Sequence, residues 1–155
     1  MNNLSLFNST ELDLVLDIIR LSRVMTKYMD KNLSREFNVT SEQDAVLQYL
    51  SIRNTATLGE ISNLLAREQN TISALLKVME EKGLIRKNRI GNRQITITMT
   101  EITQNNWRAE AALDYIKSVT AELTTDECEE TRRVLNKLME KALASLGEFY
   151  KPPFA

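Results

Sequence analysis

The chain of 155 residues contains no histidine and a single cysteine. Without histidine it lacks the commonest general base, the commonest metal ligand and the usual partner of a serine or cysteine nucleophile, so enzyme chemistry starts with little to work with. The lone Cys128 has no internal partner for a disulfide, which fits a reducing compartment. No apolar run approaches the roughly 20 residues of a membrane helix. The N-terminal Met1-Asn2-Asn3-Leu4-Ser5-Leu6-Phe7 has neither the basic segment nor the apolar core of a secretory signal. The expected location is therefore the cytoplasm, with no membrane partner. Glycines number four and prolines two, and both prolines, Pro152 and Pro153, stand at the extreme C-terminus. Nothing earlier in the chain forces a helix to break at proline.

What is present is ordinary globular material, 43% hydrophobic and 26% charged, in a length that suits one domain over residues 1–155 with no cofactor. The net charge of −1 does not by itself suggest a nucleic acid partner. Its distribution does. Residues 57–100 hold seven Lys/Arg against four Glu, whereas residues 101–155 hold seven against ten acids and residues 1–56 six against seven. Between Arg86 and Thr100 there is no acid at all.

Hydrophobic spacing predicts a mainly helical protein. A long first helix runs from about Ser9 to Glu36, where Leu12, Val15, Leu16, Ile19, Val24 and Tyr28 recur at helical intervals behind a Ser9-Thr10-Glu11 cap. Its first half is apolar on more than one stripe, through Leu14, Ile18 and Leu21 as well, which implies a partner surface. A second helix follows Thr40-Ser41-Glu42 and ends near Arg53-Asn54. Thr57-Leu58-Gly59-Glu60 has the spacing of a capping box and opens a short third helix through Leu65. The segment from Glu68 to Lys82 carries Ile72, Leu75, Leu76 and Met79 on one face, and Gly83 is placed to stop it.

At Gln94 the period changes from about 3.6 to 2. Gln94-Ile95-Thr96-Ile97-Thr98-Met99 alternates as a strand, Leu84–Ile90 supplies its antiparallel partner, and Gly91-Asn92 suits the turn. Two further helices are predicted over 103–121 and 125–147, the second opening at Thr124-Thr125-Asp126-Glu127. The tail Phe149-Tyr150-Lys151-Pro152-Pro153-Phe154-Ala155 is rich in aromatic residues.

Two short helices with a tight turn, followed at once by a hairpin, make a winged helix-turn-helix. An α-helix fits the major groove of B-DNA and needs hydrogen-bonding side chains on its outer face. Gln69, Asn70, Thr71, Ser73 and Lys77 supply that face: Gln and Asn can pair with adenine edges, the hydroxyls can meet bases or phosphates, and Lys77 can neutralise a phosphate. Arg86, Lys87, Arg89 and Arg93 would lie along the adjacent backbone, with Arg93 at the tip suited to a narrow minor groove.

Residues Thr40–Glu101 resemble the MarR family of multiple-antibiotic-resistance-type regulators. Thr57-Leu58-Gly59-Glu60-Ile61, Asn70-Thr71-Ile72-Ser73 and Met79-Glu80-Glu81-Lys82-Gly83-Leu84-Ile85-Arg86 carry the likeness. The resemblance implies a winged DNA-binding lobe over 38–100 and a helical dimerisation lobe from 1–37 and 101–155. It also implies a homodimer on a pseudo-palindromic operator, usually as a repressor, with small ligands or oxidants releasing the DNA in many members. Such proteins usually carry an acid shortly before the tip arginine; this chain has Gly91-Asn92 before Arg93.

Leu12, Leu16, Ile19, Leu143, Leu146, Phe149 and Tyr150 are the expected dimer contacts. A twofold dimer would set its recognition helices about 34 Å apart. Trp107 and Tyr115, like Met25, Tyr28 and Met29, either line a ligand cleft or pack, and packing is the plainer reading. Cys128 lies among Asp126, Glu127, Glu129 and Glu130, a setting unsuited to the thiolate of a redox sensor. The alternative function is a winged-helix module that binds another protein, favoured by the low net charge and excluded by a steep salt dependence of DNA binding. Catalysis on paired acids such as Glu80-Glu81 is disfavoured, because adjacent helix positions point in different directions.

Overall fold

The structure, a computed structural model, describes residues 9–91, 94–148, 151 and 154. The chain divides into two compact units, residues 1–44 and 45–155. In the first, α1 (Thr10–Phe37) is capped at Ser9, whose side chain accepts from the Leu12 N–H, and Glu11 and Asp13 stand in its first turn against the positive end of the helix dipole. Leu12, Leu14, Val15, Leu16, Ile19, Leu21 and Val24 are all more than 40% exposed. The helix stops at Asn38, which takes a left-handed conformation (φ 56). Thr40 and Gln43 then cap α2 (Ser41–Arg53) reciprocally: the Thr40 N–H donates to Gln43 Oε1 at 3.1 Å and the Gln43 N–H to Thr40 Oγ1 at 3.2 Å.

The second unit begins within α2, whose Val46, Leu47 and Leu50 are buried. After it come β1 (Thr55–Thr57), α3 (Leu58–Leu65), α4 (Gln69–Glu81), β2 (Ile85–Ile90), β3 (Gln94–Met99), α5 (Glu101–Asn106), α6 (Ala109–Thr120) and α7 (Thr125–Ser145). Ala56, Ile61, Ile72, Leu76, Met79, Ile85 and Ile97 are buried in this unit. Full burial of such an aliphatic side chain contributes about 1.5–3 kcal/mol. The capping boxes at Thr57/Glu60 and Thr124/Glu127 form as their spacing predicts. Gly83 (φ 72) ends α4 in a Schellman turn, with the Leu84 N–H on Met79 O and the Gly83 N–H on Glu80 O, both at 2.9 Å.

Two expectations are corrected. The sheet has three strands in the order β1-β3-β2, all antiparallel, rather than the two of the hairpin alone. Thr55–Thr57 pairs with Thr96–Thr98, and three residues are too few to show an alternation in the sequence. The helix expected over 103–121 is two helices, so the described residues hold seven rather than six. Trp107 (φ −90, ψ 138) and Arg108 (φ −120, ψ 120) are extended between them. This break buries Trp107, Ala111 and Ala112 and sets the Ala109 carbonyl 2.9 Å from Gln48 Nε2. No proline or glycine marks it.

The turn between α3 and α4 passes through Ala66 in the left-handed region (φ 50). Arg67 N–H reaches Ser62 O at 3.1 Å and Ala66 N–H reaches Asn63 O at 3.3 Å, so the helix-ending hydrogen bonds hold alanine where glycine is at ease. Ala66→Gly relieves that strain, partly offset by a more flexible unfolded chain, and is expected to stabilise the protein by about 0.5–1 kcal/mol, raising Tm by about 2–4 °C. A calorimetric scan showing no rise would mean that Ala66 carries no strain.

Candidate nucleic-acid interface

Helix α4 buries Ile72, Leu76 and Met79 and leaves Gln69, Asn70, Thr71, Ser73, Ala74 and Lys77 exposed. At 100° per residue, Asn70, Ala74 and Lys77 point directly away from the buried face, with Ser73 and Thr71 on either flank. Four of the five residues predicted to read DNA from this helix, Asn70, Thr71, Ser73 and Lys77, therefore share an accessible surface, and Ala74 between them permits close approach. Gln69 is exposed but lies on the helix beside the buried face, about 160° round from Thr71. Among the described residues, α4 is also the one helix with no acid in its first turn. The other six open on Glu11 and Asp13, Glu42 and Asp44, Glu60, Glu101, Glu110, and Asp126 and Glu127. Acids there ordinarily stabilise a helix. In α4 the acid stands one position earlier, at the N-cap Glu68, whose exposed side chain makes no capping hydrogen bond, so the leading end of this helix still carries a negative charge.

The hairpin stands beside α4. Its register pairs Ile85 with Met99 and Ile90 with Gln94. Arg86, Asn88 and Ile90 share one face with Gln94, Thr96 and Thr98; Lys87 and Arg89 share the other with Ile95 and Ile97. The buried side is apolar only near the base: Ile97 is 1% exposed and Ile95, nearer the tip, 41%. Arg86 and Arg89 are exposed, and neither lies within 4.0 Å of a carboxylate among the described residues. Lys87 is half-buried, with Nζ 3.4 Å from Glu80 Oε2, so part of its charge is matched within the protein. Sequence reading grouped it with the other wing cations because nothing in the linear chain links it to Glu80. Gly91 (φ 66) begins the turn; Asn92 and Arg93 lie outside the described residues.

Behind α3, Tyr49 is buried, and burial, followed by the nearby Glu60 carboxylate, raises its hydroxyl above the ordinary tyrosine range. Its ring lies 5.6 Å from that of Phe154, and the Lys151 carbonyl accepts from Asn63 Nδ2 at 2.9 Å. The described part of the aromatic tail thus lies on α2 and α3 of its own unit, while Phe149 and Tyr150 lie outside the described residues. Trp107 both packs, at 9% exposure, and borders a cleft of about 600 Å³ with Leu50, Thr98, Met99 and Arg108; Tyr115 does not line it. On α7 no residue is buried, and Leu146 is 73% exposed. Leu143 is half-buried. The described residues contain no group of three His, Cys, Asp or Glu able to hold a metal, and no helix long and apolar enough to cross a membrane.

Residues 28–109, just over half of the chain, match the family described as the transcriptional regulator SarA/Rot. The chain is 26% identical over 129 residues to the HTH-type transcriptional regulator MgrA of Staphylococcus aureus, covering 81% of this chain and 87% of that one. Its structure is similar to that of reduced AbfR bound to DNA, with a TM-score of 0.69 and 28% identity over 85% of this chain and 92% of the other. A MarR/EmrR family transcriptional regulator from Acinetobacter sp. ADP1 shares the fold at a TM-score of 0.77 and 20% identity, over 86% and 97% of the two chains.

Proposed function

Because the chain belongs to the SarA/Rot family of transcriptional regulators, we propose that it binds a pseudo-palindromic operator as a homodimer, sequence-specifically, and represses by occupying promoter DNA. The observation that carries this reading is an exposed hydrogen-bonding face on α4 with an acid-free basic hairpin alongside. Gln69, Asn70, Thr71, Ser73 and Lys77 enter the major groove. Arg86, Arg89 and Arg93 follow the adjacent backbone and minor groove, and Lys87 contributes a charge already shared with Glu80. AbfR, a protein of the same fold, was solved bound to DNA, which supports the same partner here.

Homodimerisation is supported by two stripes of exposed apolar side chains. One comprises Leu12, Leu16 and Ile19 of α1; the other runs along α7, where we assign Leu143 and Leu146 to the contact together with Phe149 and Tyr150. Patches of this extent on a soluble chain mark a partner surface. The cleft beside Trp107 is the site we assign to the effector that the MarR resemblance implies.

The test is a fluorescence-anisotropy titration of the full chain against duplex DNA from its own upstream region and against a scrambled duplex, at two salt concentrations. Tight, salt-sensitive preference for the native duplex at one dimer per site is expected. Arg93→Ala should weaken binding and flatten the salt slope by about one unit for each phosphate contact removed. Equal, weak and salt-insensitive binding to both duplexes would instead favour a winged-helix module that docks on another protein.

A further inference from the structure

Three helices of the second unit are capped by threonine, and one of them differs in a way that reaches beyond the helix. Thr57 and Thr124 each sit three residues before a glutamate that bonds back to the cap, so both boxes are closed within their own helix. Thr100 caps α5 by accepting from the Thr103 N–H at 3.2 Å, but the third residue is a threonine and no carboxylate returns. Instead the Thr100 hydroxyl donates out of the helix, to the Gly83 carbonyl at 2.7 Å, and shares a hydrogen bond with Thr103 Oγ1 at 2.9 Å. A hydroxyl has one proton and two lone pairs; the proton faces the Gly83 carbonyl, the shortest of its contacts, and one lone pair accepts the Thr103 N–H. Thr103 Oγ1 itself stands 3.5 Å from Gly83 O. Both threonines are more than 90% buried.

Gly83 is the left-handed residue that ends α4, and β2 starts two residues later at Ile85. The Thr100 N–H donates to Leu84 O at 3.1 Å, one step beyond the last ladder pair, Ile85 with Met99. A single buried residue therefore joins the three elements: its side chain links the end of α4 to the start of α5, and its backbone N–H holds the base of the hairpin. The hairpin strands are six residues long, about 20 Å at the usual rise per residue. A rotation of about 10° at the base would carry the tip through about 3.5 Å, more than the tolerance of a hydrogen bond.

We infer that Thr100 is a positioning residue for DNA binding, a joint that holds the hairpin at the angle to α4 at which both can engage one duplex. This rests on the DNA-binding reading. With the joint intact, engagement of α4 presents the wing to its groove at high effective concentration. When the joint is loose, each contact must be found separately.

The experiment compares Thr100→Val, which keeps the shape and loses the hydroxyl, with Thr100→Ser, which keeps the hydroxyl. Thr124→Val serves as a control that removes the threonine cap of another helix, α7, whose hydrogen bonds stay within that helix. Operator affinity is measured by anisotropy at a temperature where circular dichroism shows every variant folded, each with and without Arg89→Ala/Arg93→Ala. Thr100→Val should lower affinity by about tenfold, and Thr100→Ser and Thr124→Val by less than about twofold. The decisive readout is the coupling: the wing substitutions cost affinity in the parent chain and in Thr124→Val, but cost almost nothing further in Thr100→Val. If they cost the same factor in all three, Thr100 is only a cap and the joint is wrong. If they cost nothing even in the parent, the wing does not contribute and there is nothing to position. Failure of the parent chain to prefer any duplex would overturn the DNA-binding reading, and the joint with it.

Discussion

A glutamate in place of Ser73 is expected to reduce operator affinity by more than about a hundredfold while leaving the fold intact. Ser73 is exposed on the flank of the α4 face that carries Asn70 and Lys77, so its side chain makes no core contact to lose. Glutamate is at least as good a helix former as serine, and an exposed substitution of this kind changes stability by about 0.5 kcal/mol or less. In the complex the new carboxylate would be pressed against base edges and phosphates. Like-charge juxtaposition in an interface costs several kcal/mol. A dimer on a two-half-site operator carries the substitution twice, so even about 1.5 kcal/mol per half-site makes roughly two orders of magnitude in Kd. The check pairs an anisotropy titration with a thermal melt. Unchanged affinity with unchanged Tm would mean that the outer face of α4 does not enter the groove.

The second large effect concerns assembly. Leu16→Asp/Ile19→Asp should convert a dimer of twice 17.8 kDa into a monomer of 17.8 kDa, read by light scattering after size exclusion at tens of micromolar. Both side chains are more than 40% exposed in the isolated chain, so the substitutions cost the monomer little. Covered by a partner, each aspartate would be an unpaired charge in an apolar contact, and twofold symmetry would place four of them in one interface. At about 1–2 kcal/mol each, dimer affinity falls by a factor of about a thousand or more. Operator binding falls with it, because the two half-sites are no longer linked. A variant that still runs at the dimer mass would show that α1 is not the interface.

The hairpin and helix α4 were legible in the sequence because their signals are local. Capping boxes span three residues, a Schellman turn announces itself through Gly83, and the strand over residues 94–99 alternates with a period of two. Other features had no such mark. Ala66 holds a left-handed turn with a residue that does not advertise one. The break at Trp107 carries neither glycine nor proline. Thr100 reads as an ordinary hydroxyl, since the carboxylate that signals a capping box is missing at Thr103. The candidate interface followed the same division: the face of α4 could be listed residue by residue, whereas the pairing of Lys87 with Glu80 came only from the chain turning back on itself.

The sequence by itself determined the two strands of the hairpin and most of the helices, where most of those helices begin, which face of α4 is apolar, and that the positive charge gathers around residues 57–100. These properties depend on neighbours one to four positions away and leave a periodic trace. Tertiary structure alone decided that Thr55–Thr57 closes the sheet as a third strand, that the helix after the wing is broken at Trp107, and that the Thr100 hydroxyl reaches Gly83. Each rests on a bond or packing contact between groups far apart in the chain. Such contacts form only when folding brings the groups together, so they impose no repeating pattern on the residues between.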